Sequence, residues 1–150
     1  MKNYLNYITA ALFLGLTVFA SCGGEDDPDP VDPLIEKAEM LTGTASLSDG
    51  GVSKPNGATE LDWSGLVVTI TGDETGGSIN AAGSADETVW PTSATWTFSN
   101  TTGTKILRSD GVEIDLITVS ETSLVCGFSI SQPAARAGVI EGDWQFSFDY

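Results

Sequence analysis

The chain has 150 residues, a formal net charge of −15 and no histidine. This acidity disfavours nucleic-acid partners, because proteins bind phosphates with basic surfaces. The missing histidine excludes Ser-His and Cys-His nucleophile pairs and histidine-ligated metals within this chain. We therefore expect a noncatalytic protein with no cofactor, no metal site and no nucleic-acid partner.

Residues 1–21 have the three parts of a cleavable secretion signal. Lys2 gives a positive start, residues 8–20 form an apolar middle, and Ala20 and Ser21 are the small residues of a cleavage site. A membrane-spanning helix needs about 20 apolar residues, so this shorter run predicts a signal peptide instead.

The end of this segment, Phe19-Ala20-Ser21-Cys22, resembles the lipobox at which bacterial lipoproteins are cleaved and lipidated. The resemblance implies that residues 1–21 are removed and that Cys22 carries acyl chains. Loss of the single charge of Lys2 then changes the net charge from −15 to −16. Each buried acyl methylene contributes about 0.8 kcal/mol to membrane binding, so several chains anchor a protein firmly. The alternative is a conventional signal peptide followed by an incidental cysteine.

An acidic, proline-rich tether is predicted at residues 22–33. Its Glu25-Asp26-Asp27 run resembles the surface-export signal of Bacteroidetes lipoproteins. This resemblance implies a lipid-anchored domain on the outer face of the outer membrane. The alternative is a solvated acidic spacer, and both interpretations can hold together. Proline and like charge favour an extended chain of about 3.1 Å per residue.

A short helix is predicted at the start of the folded domain, which we place at residues 34–150. Asp32 suits the N-cap of this helix, Pro33 its first turn and Gly43 its end. One face is apolar and consists of Leu34, Ile35, Ala38 and Leu41.

From Thr44 onward the apolar residues alternate with polar ones, which is typical of β-strands with one buried face. We predict strands at residues 44–48, 66–71, 78–82, 93–99, 105–109, 112–119 and 124–131, and a last strand that contains Trp144, Phe146 and Phe148. The first strand is expected to end at a turn formed by Asp49, Gly50 and Gly51. Short connections between successive strands favour antiparallel neighbours. The predicted fold is therefore an all-β, eight-stranded antiparallel up-and-down barrel.

Four motifs resemble the lipocalin-like domains of small Bacteroidetes lipoproteins. They lie at residues 41–44 (LTGT), 89–98 (VWPTSATWTF), 108–114 (RSDGVEI) and 142–148 (GDWQFSF). The resemblance covers residues 41–150 and implies a lipocalin-like barrel, and an eight-stranded barrel has room for packed side chains or for one small ligand. Ala45 stands where the openings of such domains usually carry a tryptophan that closes the floor of the barrel.

The aromatic residues divide into two groups. The first lies at strand spacing on inward faces and is expected in the core: Trp96, Phe98, Phe128, Trp144, Phe146 and Phe148. Trp63 and Trp90 instead precede strands in loop-like surroundings. A tryptophan at the mouth of a barrel can contact a sugar or an apolar ligand, or it can cap the end of the barrel.

Cys126 and the carboxylates give no catalytic signal. Cys126 lies on the same side of its predicted strand as Leu124, Phe128 and Ile130, so we expect a small buried side chain rather than a reactive thiol. Glu113 and Asp115 lie on the polar face of a strand, where exposed acids are ordinary. The predicted function is noncatalytic binding of a small apolar or glycan ligand in or at the mouth of the barrel. The alternative is a structural or accessory lipoprotein with a packed core, which recruits a protein partner.

Overall fold

A short helix leads into eight antiparallel strands that close into a barrel. The computed structural model describes residues 32–54, 61–131 and 141–150. The predicted signal peptide, Cys22 and the tether up to residue 31 lie outside the described residues. The elements are α1 (Pro33–Leu41), β1 (Gly43–Ser53), β2 (Val67–Asp73), β3 (Gly76–Ala82), β4 (Ser93–Phe98), β5 (Lys105–Arg108), β6 (Glu113–Val119), β7 (Ser123–Ile130) and β8 (Gly142–Asp149).

The predicted fold class is confirmed. Each strand pairs with its neighbour in the sequence, and β8 pairs with β1 to close the barrel. This up-and-down order arises because the connections between successive strands are short and each strand has one apolar face. Along β6, β7 and β8 the side chains alternate between the interior and the surface.

The predicted helix is confirmed with its start at Pro33. The Leu34 backbone N–H donates to Asp32 Oδ1 at 2.9 Å, so Asp32 is the N-cap. Ala38 and Leu41 are buried, whereas Ile35 is exposed. The predicted apolar face of the helix is therefore only partly buried.

The predicted end of β1 is wrong. Asp49, Gly50 and Gly51 do not end the strand, since β1 runs on to Ser53 and pairs again with β8 at Val52. The register shifts between Leu47 and Val52, so this glycine-rich stretch forms an irregular bulge instead. Gly50 has a φ of 67°, which residues with side chains rarely adopt. A bulge and a turn need the same residue types, and this explains the error.

The barrel has two ends, which we name by their contents. The helix end holds α1, the β2–β3, β4–β5 and β6–β7 connections and the end of β8. There the hydroxyl of Tyr150 donates to the carbonyl oxygen of Leu41 at 3.0 Å. The tryptophan end holds the β1–β2, β3–β4, β5–β6 and β7–β8 connections.

Among the described residues, the buried members of the main hydrophobic cluster lie between Leu41 and Phe148. The segment Val31–Tyr150 is a compact unit by its own internal contacts. A segment that has its own hydrophobic core, and whose strands pair with one another, is able to fold alone. Within the described ranges, no helix is long and apolar enough to cross a bilayer.

Candidate functional site

Both tryptophans that the sequence singled out lie at the tryptophan end. Trp63 belongs to the β1–β2 connection and Trp90 to the β3–β4 connection. Their exposed fractions are 3% and 1%, so both side chains belong to the hydrophobic core. The six aromatic residues predicted for the core also pack there, with Phe98 only partly buried.

Trp90 fills the interior of the barrel from its end. Its ring makes edge-to-face contacts with Phe128, Phe146 and Phe148 at centroid distances of 5.5, 5.5 and 5.8 Å. Phe146 also stacks with Phe128 and Phe148. These ring pairs are favourable beyond the area that they bury. The structure therefore assigns Trp90 to the packing that caps the barrel.

Arg108 is a buried cation next to the Trp90 ring, and 1% of its surface is exposed. Its Nε and Nη2 donate to the two carboxylate oxygens of Asp110 at 2.9 and 2.7 Å, and Nη1 donates to the carbonyl oxygen of Val89 at 2.9 Å. Its guanidinium carbon lies 5.8 Å from the ring centroid of Trp90 and 5.6 Å from that of Phe128. A buried guanidinium needs such a full set of partners because desolvating a charge is costly.

Asp110 is the counter-ion of this buried cation. Partial burial raises the pKa of the Asp110 carboxyl, but hydrogen bonds and charge from Arg108 outweigh this and hold the pKa below its ordinary value. This pair was not predicted from the sequence, where residues 108–114 were considered only as one of the four motifs. One signal was present: Arg108 stands two residues after the apolar Ile106 in β5, so both side chains lie on the inward face of the strand.

A pocket of about 480 Å³ borders Trp63, and we call it the Trp63 pocket. Its apolar wall consists of Leu47, Val52, Leu61 and Trp63. Its charged residues are Lys54, Asp49 and Asp62, and the remaining lining residues are small and polar. The pocket therefore combines an apolar wall with a mixed polar rim.

Two hydrogen bonds fix the described side of this pocket. Lys54 Nζ donates to the carbonyl oxygen of Leu61 at 2.8 Å, and the Leu66 N–H donates to the carbonyl oxygen of Trp63 at 2.9 Å. The Trp63 ring makes edge-to-face contacts with Trp144 at 5.5 Å and Phe146 at 5.2 Å. Trp63 thus joins the pocket wall to the inward rings of β8.

A second, polar groove of about 650 Å³ lies near the β5–β6 connection. Its lining combines four acids, small polar residues and a few apolar side chains: Glu87, Asp110, Glu113 and Asp115, then Thr88, Gly111, Ser129 and Ser131, then Pro91, Val112 and Ile130. Lys105 pairs with Glu113 at 2.7 Å and with Asp115 at 3.0 Å, and all three side chains are exposed. A hydrogen bond and the charge of Lys105 lower the pKa of Glu113, so this acid stays ionised. Among the described residues, no cluster of three or more acids, cysteines or histidines could hold a metal.

Cys126 is free and buried, and we expect it to be unreactive in the folded protein. Burial raises the pKa of its thiol to about 12, and the thiolate is the reactive form. Folded Val31–Tyr150 at pH 8 should therefore not react with iodoacetamide within an hour, whereas the urea-unfolded chain should be fully modified. Intact-mass spectrometry measures both results. Rapid modification of the folded protein would contradict the burial.

No protein-family model, curated protein or solved structure matches this chain.

Proposed function

We propose that the protein is a lipid-anchored, noncatalytic binding protein of the cell envelope, which holds a small apolar or glycan ligand in the Trp63 pocket. The observation that carries this proposal is the pocket of about 480 Å³ with its wall of Leu47, Val52, Leu61 and Trp63. Ligand sites of proteins are typically clefts of about 300–1,000 Å³ with apolar walls and a few polar groups.

Packing in the interior supports the mouth of the barrel as the place of the ligand. Trp90 contacts rings of both β7 and β8 along the barrel, and Phe146 stacks between its neighbours. Close-packed interiors leave few voids larger than a water molecule. A ligand along the axis would have to displace this packing, whereas the Trp63 pocket is open.

The membrane part of the proposal rests on the sequence. The lipobox-like residues 19–22 support acylation at Cys22, and the acidic residues 25–27 support display at the surface of the outer membrane. In this arrangement the tether at residues 22–33 joins the barrel to the membrane. Binding of a ligand in the Trp63 pocket requires neither catalysis nor a cofactor.

A matched pair of leucine substitutions tests the binding function. Leu61→Ser polarises the wall of the pocket, whereas Leu107→Ser changes an exposed leucine of β5 that does not line it. We expect the Val31–Tyr150 segment, incubated with envelope extract, to carry an extra mass of a few hundred daltons in native mass spectra. Leu61→Ser should lose at least about 90% of this mass, as burial of apolar area drives binding, and Leu107→Ser should keep it.

Equal occupancy in the two variants would contradict the pocket as the site. A spectrum of the unmodified protein without any extra mass would favour the second candidate function, which is recruitment of a protein partner. The observation that favours this candidate is the aromatic packing along the interior of the barrel, because a protein that recruits a partner with its surface needs no internal cavity.

A further inference from the structure

Among the described residues, pairing between β1 and β2 covers only the first part of β1. These strands pair only from Gly43 to Ser46 of β1, and the Leu47 N–H makes one further bond to the carbonyl oxygen of Leu66 at 3.0 Å. Beyond this point β1 follows β8 through its bulge. Trp63 reaches the interior from this side, because its ring contacts inward residues of β8 and its side chain also borders the open pocket.

Fewer interactions fix the side chain of Trp63 than fix those of the other tryptophans of the core, among the described residues. Trp96 donates its indole Nε1–H to the carbonyl oxygen of Thr71 at 3.2 Å. Within the described residues, the buried Nε1 of Trp63 has no acceptor. The same is true of Trp90 and Trp144, but Trp90 is fixed by three further rings and a guanidinium, and Trp144 lies in a strand that is paired over its length.

An unpartnered buried donor costs free energy that is recovered when water reaches it. Moving the Trp63 ring into the adjacent pocket would hydrate its N–H and would break no hydrogen bond of the side chain. The same movement would uncover the stacked rings of Trp144 and Phe146, whose centroids lie 5.8 Å apart. Among the four buried tryptophans of the described residues, displacement of Trp63 or Trp90 breaks neither a hydrogen bond of the side chain nor the pairing of a strand, and of these two Trp63 contacts fewer rings.

We propose that Trp63 is a displaceable plug: an uncharged, flat, apolar molecule enters the Trp63 pocket, takes the place of the indole ring and packs against Trp144 and Phe146. This inference rests on the proposed function, since it uses the same pocket. It adds that the ligand is bound behind Trp63 rather than in front of it.

The chemistry of the site selects this class of ligand. The space that the indole vacates is bounded by aromatic rings inclined at 69° and 76° to it, which suits another flat ring. The pocket carries one lysine and two aspartates, a formal net charge of −1, and so opposes a carboxylate. An uncharged polycyclic or conjugated molecule meets both conditions.

The test follows the indole N–H signals of ¹⁵N-labelled Val31–Tyr150 during titration with N-phenyl-1-naphthylamine, an uncharged aromatic probe. Trp63→Phe and Trp96→Phe assign the two signals. Trp96 is the internal control, because it is equally buried, is bonded to Thr71 and lies outside the pocket. We expect the probe to shift the methyl signals of Leu47 and Val52, to raise the hydrogen-exchange rate of the Trp63 indole at least tenfold, and to leave that of Trp96 unchanged.

Two other results would overturn the inference, and they differ in what they say about the pocket. Methyl shifts of Leu47 and Val52 with an unchanged or slower exchange of Trp63 would mean that the ligand lies in front of a fixed Trp63. The binding function would then stand and the plug would be wrong. No shift of either the methyl or the indole signals at saturating probe would contradict both.

Discussion

Asp110→Asn is expected to lower the free energy of unfolding by about 2–3 kcal/mol, because it leaves the buried charge of Arg108 without a counter-ion. Removing one partner of a fully buried ion pair costs about 3–5 kcal/mol. The side chain of Asp110 is 40% exposed, so water screens part of the interaction and the smaller value applies. Urea unfolding of Val31–Tyr150 at pH 7, followed by far-UV circular dichroism, measures the difference.

The Arg108–Asp110 pair also makes the difference in the free energy of unfolding between the parent protein and Asp110→Asn depend on pH. The ordinary pKa of the Asp110 carboxyl is 3.8, and its pKa in the folded protein is lower. Its stabilising contribution is therefore complete above pH 3.8 and is lost as the pH falls through the folded-state pKa. We expect the difference in the free energy of unfolding between the two proteins to be constant from pH 5 to pH 8 and to become smaller below pH 3.8.

Two controls separate this effect from a general loss of charge. Glu113→Gln removes an acid from the exposed pair with Lys105, where we expect a much smaller change. Arg108→Met with Asp110→Asn replaces the buried ion pair by uncharged groups and should recover most of the stability lost in Asp110→Asn alone. An Asp110→Asn protein as stable as the parent would show that the guanidinium is hydrated in solution.

The barrel could be predicted from the sequence because its signals are local. Polar and apolar residues alternate along β6 to β8, and short turns leave antiparallel pairing as the simplest connection. The boundaries of β1 could not be predicted in the same way. Asp49-Gly50-Gly51 suits a turn as well as a bulge, and only pairing with the distant β8 decides between them.

The site depends on contacts that the local sequence does not encode. The loop-like setting of Trp63 and Trp90 was visible, and both lie in connections at one end of the barrel. Their different surroundings were not visible, since Trp63 borders a pocket that forms where β1 leaves β2, while Trp90 packs against rings of β7 and β8. Tertiary packing, and not the local sequence, decides where the side chain of a loop residue is buried.

Trp90→Ala is expected to lower the free energy of unfolding by about 3–5 kcal/mol, the usual cost of removing a large buried ring. The ring of Trp90 is 1% exposed and contacts three phenylalanines and Arg108, so the surrounding chain cannot collapse into the space without moving both β7 and β8. Urea unfolding followed by circular dichroism measures the loss. Trp63→Ala should cost less, because within the described part of the chain Trp63 contacts two rings and Trp90 contacts three.

Domains of this size are commonly stable by about 5–15 kcal/mol, so Trp90→Ala can approach the limit of folding, and Trp90→Phe provides a milder variant. Trp90 does not line the Trp63 pocket. Trp90→Phe should lower stability and change the affinity for N-phenyl-1-naphthylamine by less than about fivefold, because the smaller ring can still pack against Phe146, which Trp90 and the proposed ligand both contact. A tenfold loss of affinity at unchanged stability would instead make Trp90 a ligand-contacting residue, and would place the ligand on the axis of the barrel.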